Sequence, residues 1–172
     1  HTGNRPYIDY KNSTNSKYVW RKFKPQPGQL FFSEAEKLEA KKIISKAKDH
    51  WKHRHNKTYK KIIFLETSST KINSKQFALK QKNLDWGQDN WIDLVNKIKE
   101  DYLIIQSVHQ EIKSNFDIYK PNKMSFRLGC AVLNETDFFV GSHGGFGHAA
   151  AALNKKAVLY FGGWISPETM AY

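Results

Sequence analysis

A single cysteine, Cys130, is all the thiol in this 172-residue chain, which excludes an internal disulfide framework and any cysteine-based zinc site. Long apolar runs are also missing. None reaches the ~18 residues that a membrane-spanning helix needs, and no signal-peptide pattern opens the chain. Acidic residues are few, 16 against 28 Lys and Arg, for a net charge of +12. What is present is apolar enough to fold: 40% hydrophobic and 14% aromatic residues exclude wholesale disorder. These features predict one globular, cytoplasmic domain. The chain begins at His1 and stops soon after Pro167-Glu168-Thr169, which reads as the opening of another helix; both ends read as cuts in a longer protein.

The basic excess is local. Residues 1–60 carry 15 Lys/Arg against 5 Asp/Glu, whereas residues 61–172 carry 13 against 11. Such a face suits an anionic membrane surface in peripheral contact, an acidic partner domain or nucleic acid, or it is merely solvated. Nucleic acid ranks low, because no aromatic-and-basic reader motif accompanies the lysines.

Residues 1–32 show little periodicity and hold Pro6, Pro25, Pro27 and Gly28, so they read as a surface connector. Ser33 with Glu36 three residues on forms a capping box. Ala40, Ile43, Ile44, Ala47 and Trp51 then recur at helical spacing, predicting a helix over 33–51. Residues 1–59 thus read as a basic connector and helix, and 60–172 as an α/β domain with the 33–51 helix packed against its sheet. Within it Ile62–Leu65 is a short apolar run without polar alternation, as a strand covered on both faces requires; Tyr102–Ile105 reads as the next buried strand, and Asp137–Val140 and Ala157–Phe161 as two more strands. Helical patterns intervene at Trp91–Ile98, at Phe126–Leu133 behind the cap Ser125, with Phe126, Gly129, Cys130 and Leu133 on one face, and at 146–153. This alternation predicts a mainly parallel sheet with helices on both faces, whose ligands bind at the carboxyl ends of the strands. His50, His53 and His55 lie in a basic run and read as solvated surface; Trp51, Trp86 and Trp91 read as packing residues.

The most informative stretch runs Val140-Gly141-Ser142-His143-Gly144-Gly145-Phe146-Gly147-His148, followed by four alanines. A strand gives way to a glycine-rich turn and a small-residue helix. Free N–H groups at such a helix start donate to a phosphate, and the helix dipole adds about 0.3–1 kcal/mol for an anion. His143 and His148 flank the glycines and are candidate phosphate donors. No Asp or Glu lies near enough in sequence to complete a metal site, so none is expected. Glu66, ending the first strand at the same edge, suits the hydroxyls of a ribose, and Trp164 suits stacking on a base or sugar.

On these residues the chain resembles glycosyltransferase family 9, which includes the bacterial heptosyltransferases, in its carboxyl-terminal half. Gly144, Gly145 and His148 match that family's small residue, glycine and histidine; Ala150–Leu153 match its helix, Val158–Gly162 its following strand and Pro167 its proline. More weakly, Glu66 with the hydroxyl-rich Thr67–Thr70 (Ser68 among them) resembles its first donor-domain strand and loop. Asn83-Leu84-Asp85-Trp86-Gly87 resembles its Lys-x-Trp segment, and Phe126-Arg127 the helix before the diphosphate loop. The sequence departs from the pattern twice: His143 stands where the family has an acid, and Leu84 where it has a phosphate-binding lysine, for which Lys82, Lys71 or Lys80 are substitutes.

The resemblance implies a Rossmann-like half of a two-domain GT-B glycosyltransferase. It would bind a nucleotide diphosphate sugar, with the diphosphate on His143, Gly144, Gly145 and His148, and with Glu66, Ser68, Lys82 and Trp164 as further donor-binding candidates. Sugar would pass to a saccharide or lipid-linked acceptor, as in the synthesis of lipopolysaccharide or other cell-surface polysaccharide, without cofactor or metal. The general base would lie in an amino-terminal partner domain that nothing here resembles, so this chain alone is expected to be inactive. A non-catalytic nucleotide or sugar-phosphate binding module is the alternative, and His143 and Leu84 favour it.

Overall fold

The computed structural model describes residues 28–67, 86–107, 118–122 and 124–162. Helix α1 spans Glu34–Arg54. It starts where the capping box places it: the Ser33 hydroxyl accepts from the Glu36 N–H at 3.3 Å, and a Glu36 carboxylate oxygen accepts from the Ser33 N–H at 2.8 Å. Its buried stripe is Ala40, Ile43, Ile44, Ala47 and Trp51. At the far end, Trp51 Nε1 donates to the Lys57 carbonyl at 2.7 Å and ties down the turn into the sheet.

Strand and helix then alternate as β1 Ile62–Glu66, α2 Gln88–Ile98, β2 Leu103–Gln106, α3 Phe126–Asn134, β3 Phe138–Ser142, α4 Gly145–Ala152 and β4 Lys156–Tyr160. Every strand falls within two residues of the apolar run that predicts it. The sheet is wholly parallel in the order β2-β1-β3-β4. Because β1 lies between β2 and β3, the chain leaves it in one direction and returns on the other side. This reversal opens a crevice at the carboxyl ends of β1 and β3, where doubly wound sheets take their ligands.

Helices cover both faces. Ile62, Phe64, Leu103, Ile105 and Phe139 form a core with α1, α3 and α4. Ile63, Leu65 and Ile104 form a second core with Trp91 and Val95 of α2. Phe64 and Phe139 are fully buried, and the Phe64 ring lies 5.0 Å from that of Phe146 on α4. Removing one such side chain from water contributes about 1.5–3 kcal/mol. At the opposite edge of the sheet, Asp137 accepts from the Ile62 N–H at 2.9 Å and clips β3 to the start of β1.

Two expectations change. Phe126 does not join the buried face of α3: as the first residue of that helix it stands at the open edge, 57% exposed, its ring 4.9 Å from Phe146. Nor are all three histidines of the basic run solvated. His53 is exposed, but His50 is half-buried beside Tyr119, and His55 stacks at 3.9 Å on Trp51, the last residue of the buried stripe.

Arg127 of α3 holds the start of α1. Its guanidinium pairs with Glu36 and donates to the Phe31 carbonyl at 2.7 Å. Arg127 first, and the Ser33 N–H after it, lower the Glu36 carboxyl to about 2. A depressed acid stabilises the fold above its unfolded value, 4.5, and that contribution is lost as pH falls toward 2. Carboxyl NMR titration is expected to place Glu36 near 2, and Arg127→Ala to return it toward 4.5. An unchanged value in the variant would show that the cap alone sets it.

Candidate functional site

The carboxyl-end edge carries two rows of polar groups on opposite faces of the sheet. The register pairs Leu65 with Gln106 and Glu66 with Gly141. Strand alternation therefore puts Gln106, Thr67 and Ser142 on the α2 face, and Glu66, Gly141 and His143 on the face covered by α3 and α4.

The first row is buried and internally bonded. Gln106 Nε2 donates to the Thr67 hydroxyl at 3.4 Å, and the Ser142 hydroxyl reaches the Thr67 carbonyl at 3.5 Å. Both contacts are long, so this row spaces the ends of β2, β1 and β3 more than it binds them. Sequence reading misses Gln106 and Ser142, since a polar residue ending an apolar run looks like the start of a loop.

The second row leads into α4. Gly141 lets the strand ends approach closely, because a Cβ there would lie 2.7 Å from the Glu66 carbonyl and 2.8 Å from the Phe139 ring. Gly147 has a comparable packing reason: its Cβ would press on Leu159 at 3.1 Å, so the helix can settle on β4. At Gly145 the space for a Cβ is bounded by the exposed Phe126 ring at 3.0 Å. Gly144 is the N-cap residue in extended backbone, with no side chain capping the helix. The first intrahelical bond runs from the His148 N–H to the Gly144 carbonyl at 3.1 Å. The N–H groups of Gly145, Phe146 and Gly147 therefore open the helix without an intrahelical acceptor.

Both histidines stand at this opening. The His143 N–H donates to the Tyr160 carbonyl at 2.9 Å, extending the β3–β4 ladder by one residue. Its ring stacks on Phe161 at 5.1 Å and meets the His148 ring edge-on at 5.4 Å. His143 Nε2 is sealed from solvent without a hydrogen-bond partner. Burial first, and His148 second, lower its pKa below 6.5, so the free protein holds it neutral at pH 7. His148 is exposed.

Glu66 ends β1. Its Oε2 is likewise sealed and without a partner, and burial raises its carboxyl to about 8. Of the remaining candidates, Ser68, Lys82 and Trp164 lie outside the described residues, as do Lys71, Lys80 and Leu84. Trp86 packs on Trp91 at 4.8 Å and Tyr160 at 5.8 Å, and Cys130 is buried in the core. Among the described residues no helix is long and apolar enough to cross a membrane, and no group of three His, Cys, Asp or Glu is placed to hold a metal ion.

Comparison with protein-family models, curated proteins and solved structures finds no match to this chain.

Proposed function

We propose that the loop from His143 to His148 binds the diphosphate of a nucleotide-activated sugar, and that the chain is the donor-binding half of a GT-B glycosyltransferase. The observation that carries this reading is the uncapped start of α4, with His143 and His148 beside it, at the crevice where strand order reverses. The N–H groups of Gly145, Phe146 and Gly147 supply donors, the helix dipole favours negative charge, and a protonated imidazole adds a charge-assisted bond. In a transfer reaction the same groups would stabilise the leaving diphosphate. The resemblance to glycosyltransferase family 9 supplies the substrate class: a nucleotide diphosphate sugar as donor and a saccharide or lipid-linked acceptor, as in lipopolysaccharide or other surface-polysaccharide synthesis. The acceptor and general base belong to a partner domain, so the purified chain is expected to show no multiple-turnover transfer. His143, standing where the family has an acid, favours a second reading: a module that holds the nucleotide or sugar phosphate and catalyses nothing.

The test is pH-dependent calorimetry with ADP-glucose, UDP-glucose and GDP-mannose, whose diphosphate diester does not itself titrate near neutrality. In the free protein the His143 pKa lies below 6.5, and a bound diphosphate raises it. Protons are then taken up on binding, and affinity rises as pH falls from about 7 to about 6, by roughly three- to tenfold. His143→Ala should flatten that rise. Binding that is pH-independent over this range in both proteins removes His143 from the site.

A further inference from the structure

The amino-terminal edge of the sheet, opposite the α4 loop, carries a second group of charged residues. There α1 ends on one face of the sheet and α2 on the other, and the two ends meet beside the edge strand β2. A cleft of about 350 Å³ opens between them, lined by Arg54 and His55 at the end of α1 and by Lys99 and Glu100 just past α2. A smaller space of about 20 Å³ beside it shares Arg54, His55 and Lys99 and is backed by Trp51, Tyr102 and Tyr119. Cations gather at helix ends in general, where they meet the dipole. Capping accounts for one cation at each end; it does not account for both lining one cavity.

The walls of the cleft are fixed. His55 stacks on Trp51 at 3.9 Å, and its Nδ1 lies 3.4 Å from a Glu100 carboxylate oxygen. Trp51 is itself held through its Nε1 on the Lys57 carbonyl. The Lys99 N–H donates to the Val95 carbonyl at 2.8 Å, which carries the turn of α2 up to the cleft. Next to it, Asp101 is already engaged by Lys57 and Lys60. Glu100 is thus the one carboxylate among the described residues lining the cleft, set against a guanidinium and an ammonium.

We propose that this cleft binds the phosphate group of a small soluble phosphate monoester. The inference does not depend on the diphosphate reading, which concerns the opposite edge of the sheet. A phosphate monoester carries a charge of about −1.5 to −2 near pH 7 and three strong acceptor oxygens. Arg54 offers a planar fork, Lys99 a point charge and His55 a further ring nitrogen, so the charge and the acceptors are both met. A carboxylate or a diester carries a single charge, which Glu100 opposes. The volume is that of the smaller ligand sites, about 300–1,000 Å³. Lys99 is half-buried, so a ligand has to enter the cleft to reach it, which favours a soluble ester over a headgroup in a bilayer.

The test is an NMR titration of the full chain with inorganic phosphate at neutral pH, with ionic strength held constant by potassium chloride. The amides of Arg54, His55, Lys99 and Glu100 are expected to shift saturably with phosphate and to stay still when chloride alone is varied. Arg54→Gln and Lys99→Gln should each raise the Kd read at these amides about three- to tenfold. Glu100→Gln should lower it about threefold, since it removes the opposing charge. If thermal melts show that Lys99→Gln does not fold, Arg54→Gln, at an exposed position, decides alone. Vesicles of phosphatidic acid in phosphatidylcholine form the second arm. Shifts confined to the α4 loop, an equal response to chloride, or a Kd that the Arg54 and Lys99 variants leave unchanged overturns the proposal. Binding to the vesicles without binding to soluble phosphate overturns it as well.

Discussion

Gly141→Ala is expected to destabilise the protein by about 2–3 kcal/mol, although it adds a single methyl group. The added carbon would lie 2.7 Å from the Glu66 carbonyl oxygen and 2.8 Å from the tip of the Phe139 ring. Neither neighbour can move cheaply: the carbonyl belongs to central strand β1, and the ring is fully buried among packed side chains. The requirement is for space rather than for an unusual backbone angle, since Gly87 is the glycine with positive φ among the described residues. Gly145→Ala is the control. Its methyl would meet only the exposed Phe126 ring at 3.0 Å, which can swing outward, so the loss should stay under about 1 kcal/mol. Urea unfolding of both variants reads the difference directly. Equal midpoints would show that the strand ends are not packed as described.

The second large effect runs the other way. Glu66→Gln should stabilise the protein at alkaline pH, by about 3 kcal/mol at pH 9, and have little effect near pH 4.5. An acid whose folded value is raised, here from 4.5 to about 8, contributes its stability below the unfolded value and loses it as pH rises toward the folded one. Wild-type stability therefore declines between 4.5 and 8, while the glutamine variant carries no such slope. The full shift would be worth more than 3 kcal/mol, and the figure is reduced because Glu66 is only partly buried. Thermal melts at several pH values decide it. Parallel curves for the two proteins would mean that Glu66 is ionised and solvated in the fold.

Much of the architecture is legible in the sequence because β1 and β2 are buried on both faces, whereas β4, exposed from Lys156 to Val158, is legible from its apolar run alone. Ile62–Leu65 and Leu103–Ile105 read as uninterrupted apolar runs, since α1, α3 and α4 take one side and α2 the other. The capping boundary at Ser33 is legible for a different reason: a hydroxyl and a carboxylate three residues apart satisfy each other's backbone locally. Strand order is not legible, because it depends on which edges pair over long sequence separations. The site is legible as a glycine-rich turn, but the glycines divide by purpose only in three dimensions. Gly141 and Gly147 serve packing, while Gly144 and Gly145 stand at the start of α4. Gln106 and Ser142 become part of the edge only once the register aligns them with Thr67.

The most direct test of the account follows the backbone amides by NMR as a nucleotide diphosphate sugar is titrated into the chain. The account predicts that the largest shifts fall on the amides of Gly144 to His148, which open α4, and that the lysine-rich face of α1 stays unmoved. It also predicts that His148→Ala raises the Kd read from the same titration about tenfold. Shifts centred on α1, or a Kd that His148→Ala leaves unchanged, would contradict it.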